Sequence, residues 1–174
     1  ERKEIAVSVQ EQDYTKDGKI VIVDYDGNLK AIYECGVQPD MITYTTDSKY
    51  ILTANEGEPR EGIGEGIIDP KGSVTIVNLE SGESKLATFE KFDDKREELL
   101  NDKVILMKDA KPSVDLEPEY ITVDSSSKKA YISLQEANSI ATLDIESGEF
   151  VSVKGLGFKD HSQEGNEIDV VKDK

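Results

Sequence analysis

The chain has 174 residues, 37 acidic side chains against 21 basic ones, and a net charge of −16. That balance argues against binding nucleic acid or anionic lipid, both of which call for a basic footprint, and suits a cationic or basic partner. Cys35 is the one cysteine, so an intrachain disulfide and a cysteine metal cluster are excluded, and no stretch approaches the roughly 18 to 20 apolar residues of a membrane-spanning helix.

In chain order, residues 5–36 read as three short apolar runs: Ile5–Val9, Gly18–Asp24, and the more polar Leu29–Glu34, with an Asp26-Gly27 turn between the last two. Residues 37–90 carry four runs. Pro39-Asp40 leads into Met41–Thr45, then Tyr50–Ala54, closed by Asn55-Glu56. The long loop 56–71 intervenes, with four glycines and four glutamates, before Ser73–Asn78, the turn Ser81-Gly82, and Lys85–Phe89. Insertions of that kind on an otherwise short connection carry function more often than the elements they join. Residues 91–117 break the pattern: Asp94 to Glu97 has the spacing of a capping box opening a short helix, and Lys103–Lys108 reads as an additional strand. Residues 118–154 repeat the earlier unit. Pro118-Glu119 leads into Tyr120–Val123, Ala130–Leu134, Gln135-Glu136, Asn138–Asp144, Ser147-Gly148 and Glu149–Val153. Residues 155–174 are a Gly- and acid-rich connection, with a short strand expected at Glu167–Val171.

The recurrence of Pro-acid, strand, polar turn, strand, amide-acid, strand, Gly turn and polar strand defines a unit of four antiparallel strands, a to d. Such a unit is one blade of a β-propeller, so the expected fold is all-β, about three blades with a short helical insertion. The first blade lacks a strand a, and the chain is read as a segment of a larger ring. The uncovered faces of its end blades, expected to carry Ile20, Ile22, Ile140 and Leu143, would be covered by the remaining blades or, in isolation, by self-association.

Gly36–Ile42, the Thr53–Pro59 stretch TANEGEP, DLEPEYI at Asp115–Ile121, SLQEANSIA at Ser133–Ala141 and GLGFKDHS at Gly155–Ser162 resemble the choice-of-anchor I family. These are secreted bacterial propellers related to YVTN-repeat surface-layer proteins and similar to mesenchyme-specific cell-surface glycoproteins. The resemblance implies an extracellular or cell-surface module with a cell-wall or surface partner. Family members are often labelled alkaline phosphatase, so the alternative is part of a hydrolase whose catalytic residues lie outside this segment.

In a four-stranded blade the d–a and b–c connections leave on one rim. The repeat therefore gathers Asp40, Asn55, Glu56, Glu58, Glu117, Glu119, Gln135 and Glu136 on that rim, with Asp160 and His161 in the next d–a connection. Carboxylates beside amide oxygens suit a hard cation such as Ca²⁺, which makes Glu56, Glu58, Glu117, Glu119 and Glu136 the candidate metal ligands. The plainer reading of each acid is a turn cap. With His161 the only histidine and no G-x-S-x-G elbow, the sequence argues against a Ser-His-Asp triad or a His-rich di-metal site within this segment, and no catalytic residue is assigned. Gly62, Gly64 and Gly66 lack the following Lys-Ser/Thr of a phosphate loop.

Overall fold

The computed structural model describes residues 2–62, 64 and 66–168. Three antiparallel sheets follow one another in chain order. The first holds β1 (Glu4–Val9), β2 (Asp17–Asp24) and β3 (Leu29–Val37). The second holds β4 (Pro39–Tyr44), β5 (Tyr50–Asn55), β6 (Ser73–Asn78) and β7 (Ser84–Thr88). The third holds β8 (Tyr120–Val123), β9 (Lys129–Leu134), β10 (Ser139–Asp144) and β11 (Glu149–Gly155). Each sheet is a meander of neighbouring strands, so the fold is the one read from the repeat: three propeller blades, the first with strands b, c and d only.

The turn between strands c and d is built the same way each time. The last residue of strand c, Asp24, Asn78 or Asp144, turns its side-chain oxygen onto backbone N–H groups two to four residues ahead. Gly27, Gly82 and Gly148 then take φ between +74° and +84°, where a side chain would be strained.

Two apolar clusters lie between the blades. Ile20, Ile22 and Cys35 of blade 1 meet Ile51 and Val77 of blade 2. A larger cluster joins blades 2 and 3 through Leu52, Ile76, Ile121, Ile132 and Leu143, with Phe89 and Phe150 stacked at a centroid distance of 3.9 Å. Ile20, Ile22 and Leu143, expected on uncovered end faces, are therefore buried. The two-residue period puts the opposite parity outside: Ile5, Val7, Val9 and Ile32 on blade 1, and Tyr120, Tyr131 and Val151 on blade 3.

Two expectations for 91–117 are corrected. A 3-10 turn at Glu90–Lys95 precedes α1 (Arg96–Asn101), so Asp94 lies within that turn and no side chain caps α1. It is Asp93 that works as an anchor, accepting from the Ser113 N–H at 2.8 Å and the Ser113 hydroxyl at 3.0 Å. Residues 104–107 form no ladder. The Arg96 guanidinium donates to the carbonyls of Met107 and Ala110, and the Met107 N–H donates to Asp115 Oδ2 at 2.6 Å. The Val104 N–H donates to the Leu99 carbonyl and the Ile105 N–H to the Ala137 carbonyl, so these backbone groups find partners outside a ladder. A second short helix, α2 (Pro112–Asp115), brings the chain back to blade 3. The strand expected at Glu167–Val171 lies partly outside the described residues.

Successive blades approach one another closely where strand c begins. A Cβ on Gly18 would stand 2.5 Å from Pro39 Cδ, and one on Gly72 would stand 2.6 Å from Pro118 Cδ and collide with the Leu116 carbonyl. Gly72→Ala should therefore force blades 2 and 3 apart and cost roughly 1–3 kcal/mol of stability, as overpacking a closed contact does. Urea unfolding of the variant checks this, with an unchanged midpoint as the contrary result.

Candidate functional site

The Gly72–Pro118 contact draws three pieces of chain together at the junction of blades 2 and 3: the loop after β5, the segment from 105 to Glu119, and the tight turn after β9. Between them lies a cavity of about 340 Å³. Glu58, Asp115, Glu117 and Glu136 give it carboxyl groups, and Pro59, Ile105 and Met107 give it apolar walls.

The half-buried Glu117 is the most perturbed of these acids. Burial, reinforced by the charges of Glu136, Asp69, Glu56 and Asp115, pushes its carboxyl up to about 8. Glu56 is raised to about 7, first by burial and then by Glu58 and Glu119. The neighbouring Glu119 is raised as well, first by burial and then by the charge of Glu136. Asp115 and Asp69 are raised as well, both mainly by burial. Asp69 Oδ1 is fully buried and accepts no hydrogen bond among the described residues. Among these residues, too, no salt bridge reaches Glu56, Glu117, Glu119 or Glu136.

The other candidates fall in different places. Asn55 is fully buried and structural: its amide donates to Ser73 Oγ and Thr75 Oγ1, and its oxygen accepts from Thr53. Asp40 is exposed, and its charge reaches Glu56 and Glu119. Gln135 is exposed and donates to Glu136 at 3.3 Å. Asp160 closes a local turn through Ser162 and Gln163, and the His161 ring pairs with the Asn166 carbonyl, so neither lines the cavity. Of the five candidate metal ligands, Glu58, Glu117 and Glu136 line the cavity while Glu56 and Glu119 flank it. Among the described residues, no three His, Cys, Asp or Glu side chains are grouped closely enough to hold a metal ion. Sequence reasoning missed Asp69, Asp115, Ile105 and Met107, which come from the long loop after β5 and from the 91–117 segment, where the repeat is interrupted.

Three meander sheets joined through glycine–proline contacts make this a β-propeller segment, and the comparisons agree. It is similar to Kuenenia stuttgartiensis hydrazine synthase, at 14% identity and TM-score 0.57, over 88% of this chain and 47% of that one. It is also similar to the β-propeller domain of the trilobed protease from Pyrococcus furiosus, at 15% identity and TM-score 0.50, over 87% and 39%. The chain thus spans less than half the length of either. No curated protein matches it. The family model for the choice-of-anchor I domain matches residues 1–174, and the chain belongs to that family.

The raised carboxyls fix a pH dependence. A carboxyl whose folded pKa exceeds its unfolded value, ordinarily about 4.3 for Glu, binds protons more tightly in the fold. Its contribution is therefore fully present below that value and is lost as pH rises through the folded pKa. Stability should fall between about pH 5 and pH 9, most steeply near pH 6, where both groups are protonated in the fold but ionised in the unfolded chain, and should level off as pH passes the folded values of about 7 for Glu56 and about 8 for Glu117. The carboxylates held low by turn hydrogen bonds, such as Asp24 and Asp144, stay ionised throughout. Urea unfolding across this range should show the decline, and Glu117→Gln should flatten it; equal slopes in the two proteins would contradict the assignment.

Proposed function

We propose that this propeller is an extracellular or cell-surface recognition module, non-catalytic in itself, that engages a positively charged group on the acidic rim between blades 2 and 3. The observation that carries this reading is the group of half-buried carboxyls at a 340 Å³ cavity, of which Glu56, Glu117, Glu119 and Glu136 have no salt-bridge partner among the described residues while Glu58 pairs with Arg60. Keeping such groups together costs stability unless protons or a cation neutralise them. The fold does not need that cost: the equivalent place between blades 1 and 2 is filled by amides and an arginine. The family name supports a surface setting.

A ligand selective for the folded chain raises its unfolding midpoint. At millimolar CaCl₂ or spermidine, the thermal midpoint should rise by more than NaCl of equal ionic strength produces, and a Glu117→Gln/Glu136→Gln variant should lose most of the rise. No rise with either cation would overturn the reading. p-Nitrophenyl phosphate should not be hydrolysed by this chain with Ca²⁺, Mg²⁺ or Zn²⁺ added; turnover would move the assignment to a phosphoesterase.

The exposed Ile5, Val7, Val9 and Ile32 belong against a further blade in the parent protein. Taken alone at micromolar concentration, the 174-residue chain should sediment as a dimer or larger, and Val7→Lys should return it to a monomer. A monomeric wild-type chain would show that these residues do not drive association.

A further inference from the structure

The two blade junctions are copies of one another, and one of them already holds a cation. Gly18 packs on Pro39 as Gly72 packs on Pro118, so Gln38-Pro39-Asp40 and Glu117-Pro118-Glu119 occupy equivalent places. The ladders ending in Val9 opposite Lys19 and Asn55 opposite Ser73 likewise make Gln10 the counterpart of Glu56. Between blades 1 and 2, the Arg60 guanidinium bridges both positions: Nε donates to Gln38 Oε1 at 3.2 Å and Nη2 donates to Gln10 Oε1 at 3.3 Å. Glu58 adds a carboxylate 3.3 Å from Nε. Gln38 is itself buried and fixed, its amide donating to the carbonyls of Tyr14 and Glu58.

Between blades 2 and 3 the chemistry is complementary to that arrangement but lacks its centre. Both amides are replaced by acids, Glu56 for Gln10 and Glu117 for Gln38. Blade 3 has only the tight turn Gln135–Asn138 where blade 2 has the loop that supplies Arg60. A cavity opens at Glu117, which lines it with Glu136, Glu58 and Asp115. Its far wall is apolar, through Ile105, Met107 and Pro59, which suits an aliphatic stem behind a charged head. A small hard ion would leave that wall unused, and the carboxyls are not grouped as a metal site among the described residues. A planar guanidinium can span separated carboxylates through its fork of N–H donors.

We infer that the cavity between blades 2 and 3 binds an aliphatic guanidinium, an arginine side chain presented by a partner, in the place that Arg60 fills one junction earlier. The inference rests on the rim-ligand reading and narrows it from any cation to this one. The head group pairs with Glu117 and Glu136, the stem lies against Ile105 and Met107, and Glu56 adds charge from behind.

Calorimetric titration of the full chain at about pH 8 with N-acetyl-L-arginine amide, N-acetyl-L-lysine amide and CaCl₂, in separate runs, tests it. The arginine amide should bind at least about tenfold more tightly than the other two. Glu117→Gln should weaken it by about tenfold or more, the loss expected for one charge-assisted pair. Because that variant relieves repulsion it should fold at least as well as the parent, and Glu136→Gln provides a second, exposed position. Binding near neutral pH should release protons, so the apparent enthalpy should depend on the buffer and cease to do so above about pH 9. Equal affinities for the three probes, or an arginine amide affinity indifferent to both substitutions, would overturn the inference. Binding of CaCl₂ alone would overturn it while leaving the acidic rim a ligand site; silence with every probe would remove both.

Discussion

The contact on which the rest of the molecule depends is the approach of a glycine at the start of one blade's strand c to the proline that opens the next blade. Gly18 against Pro39 and Gly72 against Pro118 leave no room for a Cβ, so neighbouring sheets come close at one rim while their apolar faces close beneath. Proline suits this place, since the first residue of a strand has little need of an N–H. The same approach brings each b–c loop beside the next d–a junction. What the loops carry is then forced into company, whether or not their charges agree.

At the first junction the charges do agree. Gln10, Gln38 and Glu58 surround Arg60, and the long loop of blade 2 folds over its own cation. At the second they do not, and the carboxyls of Glu56 and Glu117 answer by holding protons near neutrality. One scaffold thus gives a satisfied junction and an unsatisfied one side by side. The difference comes from two positions, the short turn after β9 and the 91–117 segment that supplies Ile105, Met107 and Asp115, not from any change in the sheets.

How far the sequence could be read follows from where the repeat runs. The blades were legible because Pro39–Glu56 and Pro118–Glu136 share a two-residue alternation and the same turn chemistry, and the rim followed from strand order alone. Glu56, Glu58, Glu117, Glu119 and Glu136 could be placed together on that basis. Asn55 could not be sorted from them, since an amide that knits Ser73, Thr75 and Thr53 together looks the same in sequence as one facing a ligand. The 91–117 segment misled for a different reason. Residues 103–108 have a strand's apolar content, but the carbonyls of Leu99, Leu100 and Ala137 and the side chains of Arg96 and Asp115 take up backbone groups that a ladder would have used. Long-range side-chain-to-backbone bonds of this kind leave no periodicity to find, and Asp115, Ile105 and Met107 entered the cavity unannounced.

Cys35 gives the seam between blades 1 and 2 a chemical reporter of its own. It is 5% exposed among Ile20, Ile51 and Val77, and burial first, then the charge of Asp17, pushes its thiol up to about 12. Alkylating reagents attack the thiolate, so the closed seam shields this sulfur twice, by access and by protonation. Modification has to wait until the seam parts. The rate at which an alkylating reagent marks the one thiol therefore clocks how often blade 1 lifts from blade 2, a local opening that global denaturation curves average away.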